Sequence, residues 1–263
     1  MRRLLLAPLL VGCGHVDPAP ADMDGLARWF WTEYDDASAE DVLTATANVW
    51  DAVLGDTLSN VPIDGALTDL SVEDVAHVEL AEGTDPSLAA GVFFARSLAC
   101  PIDKVETIVT ALNQDELYEG VYDEYERAYT TDDAAYFARE TDRIAWRADM
   151  AGKLLGTDFT ESLFGGARHV GALGDEPFGD VLVARTWMPA PAVLDSNSRS
   201  FDQDYQMELY TGRGAEESVH FYAIWRQTSM GSGLDQDNEA VMRIILNNLA
   251  DWDDGTETIC ADL

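Results

Sequence analysis

The sequence predicts an α+β domain: a helical N-terminal half, an antiparallel β-sheet of about six strands in the second half, and a C-terminal helix packed on that sheet. Three observations carry this. Apolar residues recur at helical spacing between residues 26 and 54, the period shortens to two from residue 143 onward, and helical spacing returns between residues 241 and 252. A helix buries one stripe and a strand buries one face, so a change of period marks a change of element. The layout expected is one domain over residues 25–263, helical at 25–120, β-rich at 140–230 and closed by a helix at 237–254.

In the first half, Leu26, Trp29, Phe30 and Tyr34 fall on one helical stripe. Ser38 then opens a second helix, with Asp41 three residues on in the manner of a capping box. Val42, Leu43, Ala45, Val49, Trp50, Val53 and Leu54 form its apolar face, and Gly55 stops it. Residues 56–88, rich in Gly, Pro, Asp and Thr, read as a loop-rich crossing with a short alternating piece near Val75 to Leu80. The run "LAAGVFFARSL" (Leu88 to Leu98) fits a helix or a buried strand, and helix is preferred. Asp103 caps a helix bearing Val105, Ile108, Val109 and Leu112. The stretch Asp115 to Tyr129 mixes acids with tyrosines and reads as a solvated helix edge over packed aromatics.

In the second half, Ile144, Trp146, Ala148 and Met150 alternate with Arg143, Ala145, Arg147 and Asp149, the repeat of a half-buried strand. Further strands are expected at 159–164, 169–173, 180–188, 204–211 and 219–227. Glycines at 165–166, 171–179 and 212–214 separate them, which favours short antiparallel connections. The segments "VLVARTW" and "VHFYAIW" are apolar on both faces and therefore central. Val241, Ile244, Ile245, Leu249 and Trp252 form the stripe of the last helix, with Asp237 as cap and Gly255 as its end.

The N-terminus has a different character. Arg2 and Arg3 precede an apolar run from Leu4 to Val11, followed by small Gly12 and then Cys13. This is the layout of an export signal, and it is too short to span a bilayer, which takes about 20 apolar residues. Leu10-Val11-Gly12-Cys13 resembles the lipobox of bacterial lipoproteins. The resemblance implies a signal peptide at 1–12, cleavage before Cys13, and acylation of Cys13 as a permanent membrane anchor. It also implies a cell-envelope location, with Gly14 after the cysteine favouring the outer membrane, facing the periplasm or the cell surface. Residues 13–24, rich in Pro, Ala and Asp, read as an extended lipidated tether. With Cys13 acylated, Cys100 and Cys260 remain in an oxidising compartment and are expected to pair. That bridge would close a loop contributing as much as about 5 kcal/mol on the chain-entropy model.

Composition narrows the partners. Asp plus Glu is 49 against 16 Lys plus Arg, a formal charge of −33, with the acids spread through the chain. Such a field repels nucleic acid and anionic headgroups, so nucleic acid is excluded as a partner. Hydrophobic residues at 47% are enough for a sizeable core and exclude a disordered tail.

Motifs for chemistry are few. The sequence has no Gly-x-Ser-x-Gly elbow, no His-Glu-x-x-His and no phosphate loop, and no cofactor is implied. His220, Tyr222 and Arg226 fall on one strand face, and with Arg185 on another strand they form a candidate ligand-binding patch. Glu208 is an alternative cross-strand partner for them. The acidic runs Asp235–Glu239 and Asp251–Glu257 offer oxygen ligands, but neither fits an EF-hand loop, and helix capping explains the first. The order of elements, helices then a strand meander then a closing helix, resembles the helix-grip architecture of START-like lipid carriers. That resemblance implies an apolar cavity between sheet and last helix. The sequence thus points to a lipid-anchored envelope protein with a non-catalytic binding or structural role. Its rivals are a carrier of a hydrophobic ligand and, more weakly, a carboxylate-based hydrolase.

Overall fold

In the computed structural model, which describes residues 16–54, 63–154, 156–174, 177–196, 198–229 and 239–263, two helices open the domain. Helix α1 (Met23–Thr32) is capped by Asp22, whose carboxylate accepts from the Gly25 amide at 2.9 Å. Helix α2 (Ala39–Leu54) starts at the expected capping box. The Ser38 amide donates to Asp41 Oδ2 at 3.0 Å, and the Asp41 amide donates back to Ser38 Oγ at 3.2 Å.

The remaining elements build one antiparallel sheet. In chain order they are β1 (Ile63–Leu67), β2 (Ala90–Leu98), α3 (Ile102–Thr110), α4 (Gln114–Leu117), β3 (Glu124–Tyr129), α5 (Asp133–Phe137), β4 (Arg143–Leu154), β5 (Thr157–Val170), β6 (Val181–Trp187), β7 (Val193–Leu194), β8 (Ser200–Arg213), β9 (Glu217–Ser229) and α6 (Glu239–Asp262). The strands lie in the order β1-β2-β9-β8-β6-β5-β4-β3, with β7 added to β5. Every pairing is antiparallel. This is the α+β architecture that the change of period predicts. The sheet has nine strands among the described residues rather than about six, because the first half also supplies β1, β2 and β3.

Four local expectations change. Residues 90–98 are strand, not helix, because β2 sits between β1 and β9 and is buried on both faces. Residues 115–129 contain the single turn α4 and the strand β3, so their acids and tyrosines alternate across a sheet rather than around a helix. Gly165 and Gly166 do not break the strand: β5 runs through them, and a Cβ on Gly165 would lie 2.5 Å from the Trp146 indole. The glycine serves close approach of a ring across strands, not a turn. Helix α6 likewise runs past Gly255 to Asp262, held there by the Cys100–Cys260 disulfide, with a Cα–Cα distance of 5.8 Å.

The reading of 13–24 as a free tether changes too. Val16 and Ala19 pack on the core, Trp29 Nε1 donates to the Asp17 carbonyl at 2.7 Å, and Asn48 donates to the Pro20 carbonyl at 2.7 Å. The chain is therefore docked on α1 and α2 from residue 16. Residues 1–15, including the signal run and Cys13, lie outside the described residues, as do Gly55 and the acidic run from Asp235 to Asn238.

Alternation along the strands gives the sheet two faces, and each is covered. On one, α1 and α2 pack Leu26, Phe30, Trp31 and Val49 against Val183, Met207, Phe221 and Trp225. On the other, α3 and α6 cover Ile144, Trp146, Leu182 and Tyr210 at one end and Val92, Tyr222 and Ile224 at the other. Two-sided cover explains why β6 and β9 read as apolar on both faces. Among the described residues no helix is long and apolar enough to cross a membrane.

Candidate functional site

The α6 side of the sheet is not apolar throughout. Strand β8 presents Asp204, Gln206 and Glu208 there at a spacing of two, opposite Arg226, Ile224 and Tyr222 of β9. His220 sits one pair further along, opposite Tyr210. Both ends of this row are buried: Asp204 is 1% exposed, and His220, which meets Asp253 of α6, is 2%. Buried polar groups require partners, and here they are found mostly in one another.

Towards the disulfide end, charges are matched. His220 Nδ1 lies 2.8 Å from Asp253 Oδ1 of α6, and its Nε2 is 3.6 Å from Glu208 Oε2. Its ring stacks on Tyr210 with centroids 4.1 Å apart, and the Tyr210 hydroxyl donates to Glu208. Burial raises the Glu208 pKa above its ordinary value, with the charge of His220 acting the other way. Arg96 spans Asp253, Asp254 and Glu257 of α6 at 3.8, 2.7 and 3.2 Å. The second acidic run is thus bound to an arginine and a histidine of the sheet.

Towards the other end, a chain of bonds runs Tyr222–Gln206–Asp204–Arg226. The Tyr222 hydroxyl donates to Gln206 Oε1, Gln206 Nε2 donates to Asp204 Oδ2, and Arg226 Nη2 donates to the same oxygen, each at 2.7 Å. The Arg226 guanidinium rests 4.9 Å from the centroid of Phe201. Beside this chain is Glu161 of β5, only 8% exposed, whose Oε2 has no hydrogen-bond partner among the described residues. Asp204 Oδ1 and Arg226 Nε lack partners as well. Burial, reinforced by the negative charge of Asp204 and opposed by Arg226, pushes the Glu161 carboxyl up to about 8. Next along the same face, Met242, Leu246 and Leu249 of α6 are only partly buried around Val92, Tyr222, Ile224 and Ile245.

Of the residues singled out in the sequence, His220, Tyr222 and Arg226 do share one face. Arg185 does not join them. It pairs with Met207, on the α1–α2 side, while its neighbour Ala184 faces α6 opposite Glu208. There Arg185 donates to Asp35 Oδ2 at 2.7 Å and lies over the Tyr34 ring at 4.3 Å, so it fastens α1 to the sheet. Glu161, Asp204 and Gln206 were not legible as site residues: a period-two polar row opposite a buried face reads as solvent-facing until a helix is known to cover it. The implied apolar cavity is corrected in the same place, since the middle of that face is charged and hydrogen-bonded.

An open hollow of about 540 Å³ lies over the ends of β3, β4 and β5, and Glu161 is part of its lining. Glu124, Glu126, Asp149, Thr160, Ser162 and Val193 line it from the α1–α2 side of the sheet, and Tyr125, Met150 and Glu161, which alternate with them, belong to the α6 side. Asp149 is already held by Arg147 at 3.2 Å and by the Ser162 hydroxyl. Glu124, Glu126 and Asp149 are solvated, whereas Glu161 is the acid of this lining that is buried with an oxygen lacking a hydrogen-bond partner among the described residues.

No protein-family model matches the sequence, and no curated protein matches it. Solved structures share its backbone path. A START superfamily protein from Mycobacterium smegmatis is 9% identical, with a TM-score of 0.43 over 65% of this chain and 97% of that one. Human STARD10 is 7% identical, with a TM-score of 0.44 over 66% of this chain and 64% of that one. A STAR-related lipid transfer protein from Xanthomonas axonopodis is 12% identical, with a TM-score of 0.38 over 68% and 86%. At these values each is a likeness of backbone path and nothing more.

Proposed function

We propose that the chain is a lipid-anchored envelope protein whose domain binds and carries a small amphipathic molecule between the sheet and α6. The observation that carries the binding reading is the unpartnered polar group at Glu161, Asp204 and Arg226, on the sheet face where partly buried Met242, Leu246 and Leu249 pack around Tyr222 and Ile224. A buried polar atom left without a partner costs about 1–3 kcal/mol. A ligand with a polar end at that group and an apolar body along α6 would recover that cost and bury the methylenes that α6 leaves partly exposed.

The anchor reading rests on Arg2, Arg3, the apolar run and Cys13. Docking of the chain from Val16 onward supports a short leash. Residues 13–15 span at most about 10 Å fully extended, so acylation of Cys13 would hold the domain against the bilayer rather than at a distance. The location that follows is the cell envelope, at the outer membrane.

Mass spectrometry of protein extracted from its native membrane tests both readings. The expected result is a chain beginning at Cys13 with acyl mass added, and a small molecule retained under native conditions and released on denaturation. An unacylated chain overturns the anchor. A chain that carries nothing, and takes up nothing from a membrane lipid extract, overturns the carrier.

A further inference from the structure

We propose that the polar end of the ligand is a cation, a protonated amine, seated at Glu161 and Asp204. This rests on the binding reading above and specifies its ligand. The charges decide it. Arg226 is the one cation in the group, and Asp204 Oδ2 already holds it at 2.7 Å. That leaves Glu161 with no cation of its own. Two of the three unpartnered atoms, Glu161 Oε2 and Asp204 Oδ1, are carboxylate oxygens. An anionic end would add a second negative charge beside Asp204 in a buried site and oppose ionisation of Glu161, and a neutral hydroxyl would supply one donor without compensating charge. An ammonium supplies three donors and the missing positive charge at once. Aromatic rings stand nearby for its methylenes or charge: Tyr222 belongs to the same bonded chain, and Tyr122 lies within electrostatic reach of Glu161. The third atom, Arg226 Nε, is a donor and remains outside this match.

Seating a cation ionises Glu161. The charged or titratable groups facing it among the described residues are Asp204 from β8, Arg226 from β9 and Tyr122 ahead of β3. Glu161 titrates at about 8 and an alkylamine stays protonated to about 10, so amine affinity rises between pH 6 and pH 8 with release of a proton.

Calorimetric titration of the full chain with octylamine, octanol and octyl sulfate, in ~0.5 M salt to screen the surface field, tests this. Octylamine is expected to bind at least tenfold more tightly than octanol at pH 7, with octyl sulfate weakest. Glu161→Gln, an uncharged isostere checked for folding by circular dichroism, should abolish the preference, so that the variant binds octylamine and octanol within about twofold of each other. Equal affinity for octylamine and octanol in the natural chain overturns the cation while leaving the carrier standing. An amine preference that survives Glu161→Gln places the cation elsewhere and also overturns the proposal. If none of the three binds, the carrier reading falls and takes the cation with it.

Discussion

The two ends of α6 lie on the same sheet and are held to it differently. At the C-terminal end, Asp253 sits between His220 and Arg96, Trp252 stacks on Tyr118 at 3.9 Å, the Tyr118 and Thr256 hydroxyls meet at 2.8 Å, and Cys260 is bonded to Cys100. Towards the N-terminal end, Met242, Leu246 and Leu249 are only partly buried around Tyr222 and Ile224, and the same face continues to carboxylates of which one has no cation. One end is fastened by ion pairs, a ring stack and a disulfide, and the other lies along the same face as a group that is electrostatically incomplete. The difference separates structure from site: matched polar groups under a helix lock it, and unmatched ones mark where something else can enter.

The strongest way to break this comparison is to unfasten the locked end. Replacing Cys100 and Cys260 together by Ser should lower stability by as much as about 5 kcal/mol, read as a lower urea midpoint. Amide exchange in the natural chain should show faster opening at residues 242–249 than at 252–262. Equal protection along the helix would sink the distinction between its ends. Next in size is Asp253→Asn, which removes the buried charge shared by His220 and Arg96. Asp253 is 1% exposed, and breaking one partner of a buried ionic group costs on the order of 3 kcal/mol. A loss below 1 kcal/mol in chemical denaturation would mean that the contacts of the locked end are not what fixes it.

Much of the frame was legible in the sequence. The capping box at Ser38 and Asp41, the alternation of Ile144, Trp146 and Ala148, and the Cys100–Cys260 pairing are all local or arithmetical signals, and each is present in the fold. What escaped reading depends on distant partners. Residues 90–98 are a strand because β1 and β9 flank them, and nothing within "AGVFFARSL" states that. Gly165 spells a turn until Trp146 is known to lie across from it. The site was half legible for the same reason. His220, Tyr222 and Arg226 lie on one strand and share a face by period alone, whereas the side of the sheet on which Arg185 stands depends on register. Glu161 and Asp204 are acids among 49, and only their burial in the fold sets them apart.

The smallest effect sharpens the comparison at the open end. Glu161 has a folded pKa raised to about 8 against 4.5 for a free glutamate. Below pH 4.5 it is protonated in both states and costs nothing. Between 4.5 and 8 the folded state keeps the proton and the unfolded state releases it, so stability falls as pH rises through that window. Above it the whole cost of the buried charge is present. Glu161→Gln cannot ionise, and the variant should lack this loss. Relative to the natural chain, it should gain on the order of 2 kcal/mol between pH 4 and pH 8 in urea denaturation, part of the full shift being relieved as the site relaxes. Comparing the two pH values cancels any fixed effect of the amide. If both proteins lose stability in parallel over this range, Glu161 has a partner at neutral pH, and the open end is as complete as the locked one. If the variant is more stable and loses the amine, the same carboxyl weakens the empty fold and holds the ligand, the trade expected of a binding site rather than of a structural ion pair.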